Sequence, residues 1–105
     1  MVQFAVHRNK NPISQGSFPL LLDVQSDLLG ELQTRVVIPL GKATSLGKKP
    51  ISRLMPVFPF QGESYVLVTP LLAGIPRKEL GAAVGTLADC RDAIISALDF
   101  LVLGF

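Results

Sequence analysis

Alternating apolar and polar positions predict a series of short β-strands over the first three quarters of the chain. Residues 2–7 alternate with a period of two, residues 19–24 are apolar except for Asp23, and residues 34–40 contain three consecutive β-branched side chains. The segments between these runs are rich in Asn, Pro, Ser and Gly, which are typical of turns. This pattern favours short strands and tight connections over long helices.

A β-hairpin is predicted around Gln61 and Gly62, because residues 56–60 and 64–69 flank this pair and glycine supplies the positive φ of a tight turn. Pro59 cannot donate a ladder hydrogen bond, so its strand is expected at a sheet edge or at a bulge. Further along, the Ile75-Pro76 pair is expected to close a turn. A final short strand is then expected at residues 78–80.

From Leu87 onwards the hydrophobic period lengthens to about 3.6 residues, which predicts one amphipathic helix. Thr86 and Asp89 resemble a capping box before it, and Gly104 is expected to end it. Its apolar stripe comprises Leu87, Cys90, Ile94, Ala97, Leu98 and Leu101. Its opposite, polar face comprises Asp89, Asp92, Ser96 and Asp99. Strands followed by a terminal helix indicate a small β-barrel or sandwich with a packed helix, as one domain over residues 1–105.

The amino-acid composition excludes several classes of function for this chain. Of 105 residues, 49% are hydrophobic and 17% are charged, which excludes disorder of the whole chain. Ten basic and eight acidic residues give a net charge of +2, too small to indicate a nucleic-acid-binding face. The single cysteine and single histidine exclude a disulfide framework and a His-pair metal site, so no cofactor is expected. No stretch approaches the roughly 20 apolar residues of a membrane helix, so a cytoplasmic location is expected.

The end of the predicted helix carries apolar residues on its polar side. Leu103 falls on the same face as Asp92 and Asp99, and Phe105 follows it. An apolar tip on a polar face lowers solubility unless something covers it. Two explanations remain open at this point: the end folds back onto the barrel, or it is a contact surface for a partner or a second subunit.

Few residues suggest catalysis. His7 lies at the end of a predicted strand and is expected to be a solvated surface residue. Asp23 and Asp27 are either two neighbouring carboxylates or parts of a turn with side-chain hydrogen bonds. Cys90 belongs to the apolar stripe and is expected to behave as a small core residue. The chain is therefore predicted to be an interaction module and not an enzyme.

Four segments resemble the CcdB family, the toxins of ccd toxin–antitoxin systems. They are Gln3-Phe4, the D-V-Q-S-D-L-L run at 23–29, the R-V-V-I-P-L run at 35–40 and the terminal Leu103-Gly104-Phe105. The likeness extends over essentially the whole length. The first run followed about a dozen residues later by V-I-P-L is specific to the family.

The resemblance implies a mainly β fold, an SH3-like small β-barrel of the CcdB/MazF/Kid toxin type with a C-terminal α-helix, assembled as a homodimer. It implies the toxin of a type II toxin–antitoxin system that binds the DNA gyrase A subunit and traps the gyrase–DNA cleavage complex. Carried over position by position, the predicted gyrase-binding set is Leu28, Leu29, Asp99, Val102, Leu103, Gly104 and Phe105.

The resemblance also implies a second partner, a CcdA-type antitoxin that releases the toxin from gyrase. Toxin and antitoxin together repress their operon, so this chain is expected to reach operator DNA only through the antitoxin complex. The small net charge of +2 agrees with that division of roles.

The chain departs from the family pattern at its end. Leu103 stands where the family has a tryptophan that stacks on a gyrase arginine, and the chain contains no tryptophan. A leucine fills an apolar pocket but offers no π face, and a cation–π contact contributes about 0.5–2 kcal/mol. Asp99 and Gly30 also replace a family asparagine and aspartate.

Two alternatives follow from the same fold type. The first is a MazF/Kid-like endoribonuclease specific for single-stranded RNA, for which His7, Arg53 and Arg77 are conceivable members of an acid–base set. The second is a folded relic that only pairs with an antitoxin. No motif joins the three residues of the first alternative, which favours the binding protein.

Overall fold

The structure, a computed structural model, describes residues 2–44 and 53–104. Within these residues seven strands and one α-helix follow each other along the chain. Their bounds are β1 Ala5–Asn9, β2 Leu20–Asp23, β3 Thr34–Lys42, β4 Val57–Phe60, β5 Glu63–Leu67, β6 Ala73–Pro76, β7 Leu80–Thr86 and α1 Arg91–Leu103. Short 3₁₀ turns lie at Asp27–Leu29, Thr69–Leu71, Arg77–Glu79 and Ala88–Cys90.

All strand pairs are antiparallel, and the strand order is β4-β5-β3-β2-β1-β7. The long strand β3 pairs with β2 along one edge, while β5 and β6 share its other edge end to end. The sheet curls into a half-barrel with α1 against it, so the predicted fold class, a mainly β toxin-type barrel with a C-terminal helix, is confirmed.

The core fills the space between the curled sheet and the helix. Ile94 and Ala97 are fully buried on α1, and Leu87 anchors the turn before it. Their partners come from five strands and the residue before β1, and they are Phe4, Val6, Leu20, Leu22, Ile38, Leu40, Phe58, Phe60, Tyr65 and Leu67. A smaller cluster of Leu21, Val37 and Leu80 lies apart from it.

The predicted hairpin is confirmed and closes the half-barrel. Gln61 and Gly62 form a two-residue turn with φ of 50° and 84°, and β4 is an edge strand, as Pro59 predicts. The Gln61 Nε2 donates to the Val84 carbonyl at 2.8 Å, which ties the tip of the hairpin to β7. The Phe60 ring lies so near Gly85 that a Cβ atom there would meet it at 2.6 Å.

The first strand begins later than predicted. Phe4 has a φ of 68°, outside the strand region, so β1 covers Ala5–Asn9 and not residues 2–7. His7 is consequently in the middle of a strand and buried, with Nδ1 3.0 Å from the Gly81 carbonyl oxygen. The expectation of a solvated surface histidine was wrong.

The predictions after the hairpin also need correction. Ile75 and Pro76 belong to β6 and do not close a turn, and residues 77–79 form a 3₁₀ turn before β7. The glycines of β7 concealed this strand from the sequence pattern. They are needed for close approach, since a Cβ at Gly81 would lie 2.6 Å from the Arg8 carbonyl oxygen.

The C-terminal helix is confirmed, with a different start. Its α-helical part begins at Arg91, and the 3₁₀ turn Ala88–Cys90 precedes it. The Thr86 hydroxyl accepts from the Ala88 N–H at 3.1 Å, so the capping box with Asp89 was wrong. Gly104, with a φ of 80°, ends the helix as predicted.

We expect Gly85→Ala to lower the free energy of unfolding by about 1–3 kcal/mol, because the new methyl group overlaps the Phe60 ring. Chemical denaturation measures this change. Gly16→Ala is the matched control, since nothing lies within 4 Å of its Cβ position, and should stay within about 0.5 kcal/mol. Adding Phe60→Leu to Gly85→Ala should show favourable coupling. Equal effects of the two glycine substitutions would contradict the contact.

Candidate functional site

A buried ion pair fixes the backbone from which the candidate site projects. Arg35 on β3 donates through Nε to the Asp23 Oδ2 at 2.8 Å, and its Nη2 lies 2.8 Å from the same oxygen. Both side chains are 0% exposed. Removing one member would leave an uncompensated charge in the interior, so the pair strongly constrains the end of β2.

Gln25 links this pair to the turn that follows. The free Asp23 oxygen, Oδ1, accepts from the Gln25 N–H at 3.0 Å. The Gln25 Oε1 accepts from the Val36 N–H at 3.0 Å, and its Nε2 donates to the Leu29 carbonyl at 2.9 Å. One side chain therefore holds the turn against β3.

Two further hydrogen bonds fix the other side of the turn. The Ser26 hydroxyl accepts from the Leu28 N–H at 3.2 Å and caps the 3₁₀ turn Asp27–Leu29. The Asp27 Oδ1 accepts from the Gln3 N–H at 2.8 Å. Asp23 and Asp27 thus have separate partners, which supports the turn explanation over a pair of cooperating carboxylates.

The turn held by these hydrogen bonds carries two exposed leucines. Leu28 is 94% exposed and Leu29 is 50% exposed, although both follow a strand that is buried throughout. Most exposed aliphatic side chains need no explanation. Here, however, five side-chain hydrogen bonds hold the backbone beneath them, counting those of Asp23, Gln25, Ser26 and Asp27. We call residues 26–29 the leucine turn.

A second apolar surface lies at the end of α1. Val102 is 76% exposed and Leu103 is 59% exposed, so the Leu103 side chain does not fold back onto the barrel. Asp99 is exposed one turn earlier, and Gly104 has open space at its Cβ position. Leu101, predicted on the core stripe, is 39% exposed, which corrects its assignment. Phe105 lies outside the described residues.

The predicted gyrase-binding set is therefore divided between two elements. Leu28 and Leu29 sit on the leucine turn, and Asp99, Val102, Leu103 and Gly104 sit on the last turns of α1. No side-chain hydrogen bond or ion pair within residues 2–44 and 53–104 joins the two parts. Each part is fixed separately by the barrel.

The three residues of the ribonuclease alternative lie on different parts of the fold, and no side-chain hydrogen bond or ion pair found among the described residues joins them. His7 is buried in β1, and Arg77 starts a 3₁₀ turn. Arg53 donates to the Ser96 hydroxyl at 3.2 Å and lies 5.3 Å from the Phe100 ring centroid, so it packs on α1. In the described part of the chain no cluster of three His, Cys, Asp or Glu residues could hold a metal ion. Cys90 packs against the core.

Comparison with models of known protein families shows which family this chain belongs to. The model of the family described as CcdB protein matches residues 3–104. The chain belongs to the CcdB family. It is accordingly the toxin type of a toxin–antitoxin system. The described residues contain no helix long and apolar enough to cross a membrane.

Sequence reasoning missed the supporting residues of the site. Gln25 and Arg35 belong to the segments that carry the CcdB resemblance, yet neither was predicted to have a role. Their function depends on hydrogen bonds between β2 and β3, and only the register of these strands brings the residues together. The usable signal was one acidic residue at the end of the apolar strand β2 and one basic residue directly before the apolar run 36–40 of β3.

We expect Asp23→Asn to lower the free energy of unfolding by about 3–5 kcal/mol, because it leaves the buried Arg35 guanidinium without a counter-charge. Urea denaturation measures the loss. The matched control is Glu63→Gln, which removes the exposed ion pair with Lys42 and should cost less than about 1 kcal/mol. A comparably small effect at both sites would show that the buried pair does not constrain the fold.

Gln25→Ala should loosen the leucine turn with only a modest loss of stability, about 1–2 kcal/mol. The Val36 amide loses its acceptor, so we expect its hydrogen exchange to accelerate at least tenfold, as measured by NMR. Gln33→Ala is the control, because the Gln33 side chain is exposed and outside this network. Unchanged exchange at Val36 in the Gln25 variant would contradict the bracing role.

Proposed function

We propose that this protein is a non-enzymatic toxin, a single domain over residues 1–105, that binds the DNA gyrase A subunit and traps the gyrase–DNA cleavage complex. The exposed apolar end of α1 carries the proposal. Val102 and Leu103 protrude from a helix whose opposite side is anchored in the core by Ile94 and Ala97. Such a surface gains free energy when a partner covers it, at about 25 cal/mol per Å² of buried apolar area.

The residues at the end of α1 allow a partner macromolecule to approach closely. Gly104 has no side chain and nothing within 4 Å of its Cβ position, so a partner backbone can approach it. Asp99 supplies one carboxylate beside the apolar residues. The leucine turn offers a second apolar contact on a braced backbone, which lowers the entropy cost of binding.

The side chain of Leu103 limits the affinity that this protein can have for gyrase. It can enter an apolar pocket, but it cannot provide the cation–π contact that the family tryptophan makes. The missing contact corresponds to a factor between a few-fold and about thirty-fold in affinity. This toxin is therefore expected to be a weaker gyrase poison than a CcdB protein with the tryptophan.

The remaining partners follow from membership of the CcdB family. We propose that the protein works in the cytoplasm as a homodimer and is neutralised by a CcdA-type antitoxin, with which it represses its own operon. The antitoxin supplies the DNA contacts, since this chain has a net charge of only +2. No cofactor or metal takes part in this proposal.

The decisive experiment incubates the purified protein with bacterial gyrase, supercoiled plasmid and ATP. Accumulation of linear DNA at micromolar protein supports the proposal, and unaltered supercoiling contradicts it. A parallel incubation with mixed single-stranded RNA tests the ribonuclease alternative. Cleavage of RNA without any effect on gyrase would replace the proposal with that alternative. Inactivity in both assays, with retained antitoxin binding, would indicate the relic.

Substitutions at position 103 test the surface itself. We expect Leu103→Trp to increase gyrase trapping by a few-fold up to about thirty-fold, because it adds a π face for a cation. Leu103→Glu should abolish trapping while leaving the melting temperature nearly unchanged, since the side chain is mostly exposed. The control Ile13→Glu changes a 93% exposed residue outside the predicted set and should trap gyrase like the wild type. Equal trapping by all three variants would exclude this end of α1.

A further inference from the structure

The sheet carries a groove on its second face, the face turned away from the main core. Leu22 on β2 and Ile38 on β3 point into that core, so the residues next to them in each strand point the other way. Three of these residues, Leu21, Val37 and Pro39, form an apolar floor for the groove. Its volume is about 750 Å³, within the range of about 300–1,000 Å³ that is typical of small-molecule sites.

One wall of the groove is held by the side chain of Asn9, the last residue of β1. This buried amide donates through Nδ2 to the Phe18 carbonyl at 2.8 Å and to the Ser14 hydroxyl at 3.0 Å. Its Oδ1 accepts from the Asn11 N–H at 3.0 Å. Residues 10–18 are therefore fixed as a wall before any ligand arrives, which lowers the ordering cost of binding.

A second wall is apolar and comes from β6 and the 3₁₀ turn before it. Leu71, Ala73 and Ile75 line this wall, and the first two are exposed to water. An apolar ligand chain would cover these side chains together with the floor. Such a contact gains free energy in proportion to the apolar area that it removes from water.

Three charged residues, Lys10, Lys78 and Glu79, also line the groove. The Lys10 Nζ donates to the Lys78 carbonyl at 3.1 Å and so joins the loop after β1 to the 3₁₀ turn Arg77–Glu79. This bond uses one of the three N–H donors of the ammonium group. Within residues 2–44 and 53–104 none of the three charged residues forms an ion pair, so their charges are available to a ligand.

The balance of these charges favours an acidic ligand. Two lysines and one glutamate give the groove a formal charge of +1. A carboxylate beside the Lys10 ammonium would accept a charge-assisted hydrogen bond, whereas a cationic group there would meet two like charges. An apolar floor beside a fixed ammonium group is thus complementary to an apolar chain that ends in one acid group.

We propose that this groove binds an amphipathic monocarboxylate, with its acid group at the Lys10 ammonium and its apolar chain across Val37 and Pro39. The inference goes beyond the proposed function, because none of the described residues of the predicted gyrase-binding set lines the groove. Ligand binding here and gyrase trapping are therefore tested separately, and the failure of one leaves the other standing.

The first experiment locates the ligand by NMR titration of methyl-labelled protein with octanoate. We expect the methyl resonances of Leu71 and Ile75 to shift with a dissociation constant of about 1 mM or below, an affinity suited to so small a ligand. The methyl resonances of Ile94 in the core and of Val102 at the end of α1 should not move. Shifts at Val102 without shifts at Ile75, or no shift at tenfold higher octanoate, would overturn the proposal.

The second experiment tests the recognition of charge. Lys10→Glu should weaken octanoate binding at least about fivefold, because it replaces an attractive charge with a repulsive one. The matched control Lys42→Glu should stay within about twofold of the wild type, since Lys42 lies in a separate depression beside Glu63. Octylamine has a similar apolar chain with a cationic end and should bind the wild type more weakly than octanoate. Equal binding of the two ligands, or equal loss in the two variants, would contradict the assignment.

The same spectra distinguish a ligand from a second copy of the chain in the groove. If a second copy occupied it, the Ile75 methyl resonance would shift on dilution of the protein and would not respond to octanoate. That outcome would overturn the proposal. An unchanged Ile94 resonance in each variant confirms that the core is intact, as expected for substitutions of the exposed residues Lys10 and Lys42.

Discussion

The ion pair between Asp23 and Arg35 is the constraint on which the rest of this structure depends. Two charges without water contact are tolerated only where their geometry is fixed, because each carries a desolvation cost of several kcal/mol. Both oxygens of Asp23 are used: one meets the guanidinium, and the other accepts from the Gln25 backbone. Because both Asp23 oxygens must keep these partners, the ion pair fixes where β2 ends and how the chain turns away from β3. The position of Leu28 is a consequence of that turn.

The same principle explains why exposed aliphatic residues can persist on both candidate surfaces. An unsupported loop would fold its leucines inwards or gather them into a cluster. Here the backbone of the leucine turn is held by Gln25, and the end of α1 is held by Ile94 and Ala97 and closed by Gly104. The apolar side chains remain exposed to water because the backbones that carry them are held in place and cannot turn them towards the core. A surface held in this way binds with little ordering cost.

The parts of the fold that were predictable are those in which local pattern and tertiary structure agree. The apolar run around Leu21, the β-branched run in β3, the Gln61-Gly62 turn and the amphipathic helix all carry their own signal. The failures have tertiary causes. The strand β7 was not predicted, and glycine stands at positions 81 and 85 of this strand because Arg8 and Phe60 approach them closely. His7 is buried because β1 runs from Ala5 to Asn9 and places it in mid-strand between β2 and β7, which the period-two pattern of residues 2–7 does not indicate. The network beneath the leucine turn depends on strand register and could not be inferred from sequence spacing.

In the homodimer that we propose, two-fold symmetry duplicates the leucine turn and the end of α1, so a symmetric partner would contact both copies at once. The second contact would then be intramolecular, and its strength would depend on the effective concentration set by the connection between the two copies. A loss of about 0.5–2 kcal/mol at each position 103 would act twice in such a complex. Two moderate apolar contacts would in turn replace part of one strong aromatic contact. The effect of Leu103 on the proposed gyrase binding therefore depends on the spacing of the two copies as well as on the residue at the tip.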